Sequence, residues 1–313
     1  MGKYIIKKFI LLIITLIITS FVIFLIFELV PGDPVLDKLG TRATPETIAA
    51  LRTQWGLDRP FIVRYFSFLG GIFTLDFGVS YTYGMNVSSL LREKLFINLA
   101  LSIMSLLIVI VVSVPLGIYL AKHTGGFADK LMGPVNQTAM SVPSFVLGLL
   151  ITFLFGIVFR WFRPGGYVSY KTDFAGFLYF LIFPSVAIAI PKIAMCIRLL
   201  RGNILEEAEK DYSLTAYARG NNTTGLLYRH VLKNAIMPTI TFIGMIAADM
   251  IGSGIVIEQV FSIPGLGQML INSISTRDYP VVEAEVLMIA LFIMTVSFLT
   301  DMIHAMIDPR VRV

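Results

Sequence analysis

A series of apolar runs, each long enough to cross a lipid bilayer, constrains this chain most strongly. A helical crossing needs roughly 20 mainly apolar residues. Hydrophobic residues make up 56% of the 313 residues and charged residues only 14%, far below the share of about 25% that is usual in soluble domains. The sequence therefore predicts an all-α polytopic membrane protein with six transmembrane helices, at about residues 9–30, 97–121, 135–160, 175–197, 236–258 and 281–303.

Basic residues at the ends of these runs predict the orientation, because short loops rich in Lys and Arg stay in the cytoplasm. They flank the first run, follow the second and the fourth, and recur in the C-terminal tail: Lys3, Lys7, Lys8, Lys122, Lys130, Arg198, Arg201, Lys210, Arg219, Arg229, Lys233, Arg310 and Arg312. Both termini are predicted to be cytoplasmic. This distribution explains the net charge of +5 without a basic face for nucleic acid.

The spacing of the runs divides the chain into three parts. Residues 1–30 form an N-terminal transmembrane helix, whose apolar stretch is too long for a cleaved signal peptide. Residues 31–96 form an external helical segment, and residues 97–313 form the transmembrane core with a cytoplasmic loop at 198–234. In the external segment, Thr44 is a predicted N-cap of a helix that ends at Gly56. A second helix is expected from about Arg59 to Leu69, ending at Gly70-Gly71.

Most catalytic signatures are missing from the sequence. It has neither a GxxxxGK[ST] phosphate loop nor an HExxH metal motif, and Cys196 is its one cysteine. We therefore predict no nucleotide site, no metal site and no enzymatic activity in this chain. An ATP-independent channel or carrier, or an intramembrane enzyme, remain as alternatives, although neither the clustered central charges nor the catalytic pair they require is visible.

Polar residues within the apolar runs are the candidates for a translocation pathway. A charged residue at the centre of a span costs about 2.5–3.5 kcal/mol on insertion scales, and Asp249 lies near the middle of the fifth run. We select Asp249, Ser253, Asn98 and Ser141 as pathway candidates. Packing between helices uses the same residue types, so a purely structural role is the alternative for each.

The stretch DYSLTAYARGNNTTGLLYRHVLKN, residues 211–234, is too polar to enter the bilayer. Tyr212, Thr215, Ala216 and Arg219 recur at helical spacing, and Gly220 with Asn221 and Asn222 breaks the run. A second helix is expected to follow, around Leu226, Leu227, His230 and Val231, and to lead into the fifth span. A helix–glycine–helix on the membrane surface suits docking into the groove of a partner protein. A helix that merely anchors the loop at the interface is the alternative.

This stretch resembles the cytoplasmic EAA loop of ABC-importer permeases. Ala216, Gly220 and Leu232 match its general pattern, whereas Leu214, Thr215, His230 and Lys233 depart from it. The departures are similar to those of the oligopeptide, dipeptide and nickel branch, whose DYxxTAxAxG and RHxLxN are present here at 211–220 and 229–234. Five further segments resemble that branch: Leu29–Pro34, Thr44–Glu46 with Leu57–Pro60, Phe261–Gly267, Arg277–Val282 and Asp308–Arg312.

The resemblance implies a permease subunit of a bacterial ABC importer, with the type I importer permease fold, in the cytoplasmic membrane. It implies a second homologous permease, two ATPase subunits that bind ATP and Mg²⁺, and an external or periplasmic substrate-binding protein as partners. The cargo would be peptides, with nickel or a nickel chelate as the alternative. The residues implied to couple to the ATPase are Asp211, Tyr212, Thr215, Ala216, Ala218, Arg219, Gly220, Asn221 and Asn222.

Overall fold

The computed structural model describes residues 2–307, and in this range the protein is helical, with no β-strand. The prediction of an all-α fold is confirmed. The tail motif Asp308–Arg312 lies outside the described residues. In chain order the helices are α1 (Gly2–Leu29), α2 (Pro34–Leu39), α3 (Pro45–Trp55), α4 (Phe61–Thr74), α5 (Val87–Lys122), α6 (Phe127–Ser141), α7 (Ser144–Ile151), α8 (Phe174–Ala208), α9 (Asp211–Ala218), α10 (Thr223–Leu226), α11 (Leu232–Phe261), α12 (Leu266–Ser275) and α13 (Tyr279–Ile307).

Five of the six predicted spans are single helices, long and apolar enough to cross a membrane: α1, α5, α8, α13 and the continuous helix Thr223–Phe261. That last helix joins α10 to α11 through a π-helical turn at Leu227–Val231.

The third span, predicted at 135–160, is sharply bent, and only as a pair do its two helices pass as one membrane span. The pair consists of α6 and a helix from Ser144 to Val158, which are bent by 100° relative to each other. Val142, at the break, has an extended backbone, because the residue before a proline avoids the helical region.

By its internal contacts the chain divides into two compact units. One comprises residues 2–98 with 264–295, and the other comprises residues 99–263 with 296–307. In the first unit, α4 packs along α1 through aromatic side chains. The Tyr65 ring meets Phe21 edge-on at 5.3 Å between ring centroids, and the Phe68 ring stacks on Phe24 at 5.6 Å. Tyr65 also shares a hydrogen bond of 3.2 Å with Ser20.

The ends of the helices within residues 31–96 can be compared with those predicted from the sequence. Thr44 caps α3 by accepting from the Thr47 amide, and Gly56 ends it in a left-handed conformation, so both predictions are confirmed. The predicted end of α4 at Gly70-Gly71 is wrong, since the helix continues to Thr74. A Cβ on Gly71 would overlap the carbonyl oxygen of Asp76. Glycine is therefore required there by the returning chain, and it does not end the helix.

A buried carboxylate joins distant parts of this first unit. Asp278 is fully buried and accepts hydrogen bonds from the Ser80 hydroxyl, the Tyr81 amide at 2.9 Å and the Thr82 amide at 3.0 Å. The neighbouring Arg277 forms an ion pair of 2.9 Å with Asp37. We call Asp278 and its three donors the Asp278 clasp, because it fixes the segment before α5 to the turn before α13.

The second unit relies on small residues where its helices approach closely, as transmembrane helices commonly do. A Cβ on Gly117 of α5 would lie 3.1 Å from the Leu200 side chain of α8, and one on Gly148 of α7 would lie 3.2 Å from Phe261 of α11. Arg201 of α8 donates two hydrogen bonds, of 2.7 and 2.8 Å, to Asp129 of α6. Tight backbone approach and one bidentate ion pair thus position α8 for the polar segment that follows it.

Candidate functional site

The polar segment between α8 and α11 folds as a helix, a turn and a second helix. We call residues 207–234 the polar joint. It contains the end of α8, the short helix α9, the turn around Gly220, and α10 with the π-helical turn that leads into α11. The predicted helix–glycine–helix is confirmed as local structure. The predicted loop at 198–234 begins later than expected, because α8 extends to Ala208.

The turn in the joint depends on backbone conformation and on two asparagines. Gly220 has φ +89°, and nothing lies within 4 Å of the position a Cβ would occupy. Glycine is therefore favoured by the left-handed backbone, which it adopts without steric cost, and not by lack of space. Asn221 donates 3.0 Å to the Ala216 carbonyl at the end of α9, and Asn222 caps α10 by accepting from the Gly225 amide at 2.7 Å.

Tyr212 connects the two long helices that flank the joint. Its hydroxyl donates 2.6 Å to the Glu207 carboxylate at the end of α8 and accepts 3.1 Å from the side-chain amide of Asn234 in α11. Glu207 also pairs with Lys210, and this hydrogen bond raises the pKa of Lys210. Tyr212 and Asn234 come from two separate motifs of the sequence, and in the structure they form one hydrogen-bond network.

A small apolar cluster lies beneath the joint. Leu200 and Ile204 of α8 pack with Leu227 and Val231 of the π-helical turn and with Ala235 of α11. Ala121 of α5 completes the cluster. Because apolar contacts and the Tyr212 network act on the same two helices, the joint is fixed to the ends of α8 and α11.

The outward face of α9 carries two large side chains. Of the four residues that recur at helical spacing, Tyr212, Thr215 and Arg219 are exposed, whereas Ala216 is buried together with Ser213. The large side chains that face outward are Leu214, which is 58% exposed, and Tyr217, which is 61% exposed. Asp211, Thr215, Ala218, Arg219 and Gly220 are also exposed. Two apolar side chains therefore project from a short helix that is firmly held from behind.

Of the four pathway candidates, Asp249 and Ser253 lie one turn apart on α11. Asp249 forms an ion pair with Lys192 of α8, and 67% of its side chain is exposed. The hydroxyl of Ser253 donates 3.1 Å to the Asp249 carbonyl. Lys192 was not predicted as a functional residue, although a lysine inside a predicted apolar run could have identified it.

The other two pathway candidates have different surroundings. Ser141 is exposed at the last residue of α6, and its hydroxyl donates 2.8 Å to the Gln137 carbonyl. Asn98 is buried within α5, at the boundary of the first unit. The structure thus joins Asp249 and Ser253 into one polar patch with Lys192, and a pathway role for all four residues stays a prediction.

Comparison with known proteins covers the whole chain. Residues 113–313 match the family model described as binding-protein-dependent transport system inner membrane component, and residues 1–102 match the model of its N-terminal part. A probable peptide ABC transporter permease of Sinorhizobium fredii is 34% identical over 312 residues, covering 100% of both chains. A putative peptide transport system permease of Brucella abortus is 33% identical, covering 100% of this chain and 99% of the relative.

A third relative extends the similarity to another group of bacteria. The dipeptide transport system permease protein of Lactococcus lactis is 31% identical over 313 residues, covering 100% of both chains. The two family models, the full-length relatives and the long apolar helices agree on a multi-pass protein of the bacterial inner membrane. The chain belongs to the family of binding-protein-dependent transport system inner membrane components, the permease subunits of ABC importers.

Proposed function

We propose that this chain is one of two permease subunits of an ATP-driven importer of peptides. A binding protein would deliver the peptide from outside, a second homologous permease would complete the pathway, and two ATPase subunits would bind ATP and Mg²⁺. The names of the full-length relatives refer to peptide or dipeptide transport and favour peptides over nickel as the cargo. ATP hydrolysis is assigned to the partners, and no catalytic role is assigned to this chain.

The geometry of the polar joint carries this proposal. Leu214 and Tyr217 project from α9, while Ser213 and Ala216 are buried behind them. Apolar side chains on one face of a short helix suit a groove in a partner. The Tyr212 network and the apolar cluster tie the same helix to α8 and α11. A movement of the ATPase would therefore be transmitted to two spans as a rigid-body displacement.

The charge distribution supports an orientation with the joint in the cytoplasm. The joint carries Lys210, Arg219, Arg229 and Lys233, and short loops with this excess of basic residues are retained on the cytoplasmic side. The same rule supports a cytoplasmic N-terminus, which carries Lys3, Lys7 and Lys8. The ATPase subunits would then meet α9 in the compartment that contains ATP.

The pair of Lys192 and Asp249 supports a second permease. Charged side chains in spans face a bundle interior or a wet cavity, because exposure to lipid is expensive. Asp249 is largely exposed in this chain alone. In the assembled transporter, the exposed side of Asp249 would either contact the second permease or line the aqueous pathway between the two subunits.

The test is co-purification from the native membrane in mild detergent. Recovery of a second permease and two ATPase chains is expected, and Tyr217→Ala should reduce recovery of the ATPase at least severalfold because it removes an exposed docking side chain. Tyr83→Ala is the matched control, since Tyr83 is also exposed but lies outside the joint. A chain that purifies alone and moves solute into liposomes without ATP would overturn the proposal.

A further inference from the structure

A cavity of about 620 Å³ lies within the first unit, among the ends of α1, α3, α4 and α13. Its volume is within the range of about 300–1,000 Å³ that is usual for small-molecule sites. One wall is aromatic: the indole of Trp55 stacks on the Tyr81 ring with 3.9 Å between ring centroids and an angle of 11° between the planes. Phe68 adds apolar surface beside this pair. The cavity therefore offers both a concave shape and a flat face for an organic group.

The floor of the cavity contains a buried carboxylate. Glu283 of α13 is 9% exposed and lines the cavity, and it makes no hydrogen bond or ion pair with any of residues 2–307. Tyr279, one helical turn earlier, has a buried hydroxyl that likewise finds no hydrogen-bond partner within this range. Buried polar groups are usually hydrogen-bonded, and leaving a carboxylate unpaired is expensive. Two such groups on one face of one helix point to a partner that comes from outside the chain.

The charges around Glu283 indicate which charged groups a ligand in this cavity would carry. Four of the lining charges form internal pairs, Arg64 with Glu28 at 2.6 Å and Arg52 with Asp33. Asp76 accepts from the Gly78 amide at 3.1 Å. Of the remaining lining charges, Glu283 is buried and Arg59 is exposed, and Arg59 has no ion-pair partner among the described residues. The acid Glu283 inside the cavity and the base Arg59 at its edge are therefore available to form ion pairs with a ligand.

The surroundings of Tyr81 agree with this picture. Burial and then the neighbouring Glu283 carboxylate raise the pKa of Tyr81, so its phenol stays protonated and can donate a hydrogen bond. Glu283, Arg64 and the aromatic pair of Trp55 and Tyr81 all line this cavity. An ammonium group placed between this carboxylate and the aromatic rings would gain both a charge-assisted hydrogen bond and a cation–π contact.

We propose that this cavity is a binding site for a small zwitterion of about the size of a dipeptide, with its ammonium group on Glu283 and its carboxylate on Arg59. The site belongs to the first unit alone and requires neither ATP nor a partner chain. It is separate from the proposed transport role of the polar joint.

The test uses the fluorescence of Trp55. The chain contains two tryptophans, Trp55 and Trp161, so Trp161→Phe in the full-length protein leaves Trp55 as the only indole. The protein in lipid nanodiscs is titrated with glycyl-leucine, N-acetyl-glycyl-leucine and glycyl-leucinamide. We expect a saturable change of Trp55 emission with glycyl-leucine and at least tenfold weaker binding of both blocked compounds, each of which lacks one of the two charges.

Two substitutions test which residue binds the ammonium group of the ligand and which binds its carboxylate. Glu283→Gln should weaken binding of glycyl-leucine at least tenfold, because the amide cannot form an ion pair with the ammonium group. Arg59→Gln, on the surface, should abolish the preference for glycyl-leucine over its amide. Glu46→Gln is the matched control: it removes one negative charge from an exposed position outside the cavity, and it should change nothing.

Several results would overturn the site. These are a change of emission that never saturates, equal affinity for the three compounds, or unchanged binding in Glu283→Gln or unchanged preference in Arg59→Gln. Because the titration uses this chain alone, its failure leaves the transport proposal standing. Conversely, failed recovery of ATPase subunits leaves this site standing.

Discussion

The polar joint and the Asp278 clasp are both polar structures next to long apolar helices, yet they are built in opposite ways. The joint connects residues close in sequence, since Glu207, Tyr212 and Asn234 lie within 28 positions, and it leaves Leu214 and Tyr217 exposed. The clasp connects residues almost 200 positions apart, and both Ser80 and Asp278 are buried. A contact surface has to remain available to a partner, whereas a long-range connection has to exclude water. The comparison predicts that damage to the clasp reduces stability, while damage to the joint reduces coupling.

Removal of the clasp carboxylate should have the largest effect. Asp278→Ala leaves the Ser80 hydroxyl and the amides of Tyr81 and Thr82 without their acceptor, and each buried unpaired donor costs about 1–3 kcal/mol. We expect a loss of about 3 kcal/mol or more in the free energy of unfolding, measured by denaturation in detergent. Asp278→Asn keeps one acceptor oxygen and should lose less. Equal stability of wild type and Asp278→Ala would remove the distinction between clasp and joint.

A bulky residue at the turn of the joint should have the next largest effect. Gly220→Val forces a β-branched residue into a left-handed backbone, at a cost of about 1–2 kcal/mol, and should reorient α9. Insertion into the membrane should be normal, but ATP hydrolysis by the complex should no longer drive uptake. Gly220→Asn is the matched control, because Asn tolerates this conformation and the surrounding space is open. Normal transport by Gly220→Val would count against the joint as a coupling element.

The smallest effect is expected from a single hydroxyl. Tyr212→Phe removes the hydrogen bonds to Glu207 and Asn234 and retains the ring, so stability should fall by about 1 kcal/mol. The ratio of peptide transported to ATP hydrolysed should fall more clearly than the unfolding temperature does. A double-mutant cycle with Asn234→Ala isolates the contact between the two residues. Strictly additive effects would mean that Tyr212 and Asn234 do not act together.

Patterns that depend on neighbouring residues were predictable from the sequence. Five spans, the Thr44 cap, the Gly56 end and the helix–turn–helix of the joint all follow from local periodicity and capping chemistry. The break at Pro143 was missed because proline alone does not decide the outcome in a membrane helix. Pro115, Pro184, Pro191 and Pro238 lie inside long helices of this chain, whereas Pro143 separates two helices.

Contacts between residues that lie far apart in the chain could not be predicted from the sequence. Asp249 was selected from the sequence without a partner, because its partner Lys192 lies 57 positions earlier on another span. The outward face of α9 could not be assigned either, because helical spacing groups residues without saying which group meets α8. Which polar residues pair, and which face is covered, depends on packing that a single sequence does not display.

The pair of Lys192 and Asp249 also has a consequence for how the protein enters the membrane. Each charge alone would burden its span by about 2.5–3.5 kcal/mol at the centre of the bilayer, but α8 and α11 are consecutive spans and bring opposite charges together. We therefore expect the two spans to enter the membrane most favourably together, as a hairpin in which the opposite charges pair. The polar joint, which connects α8 to α11, is the bend of that hairpin.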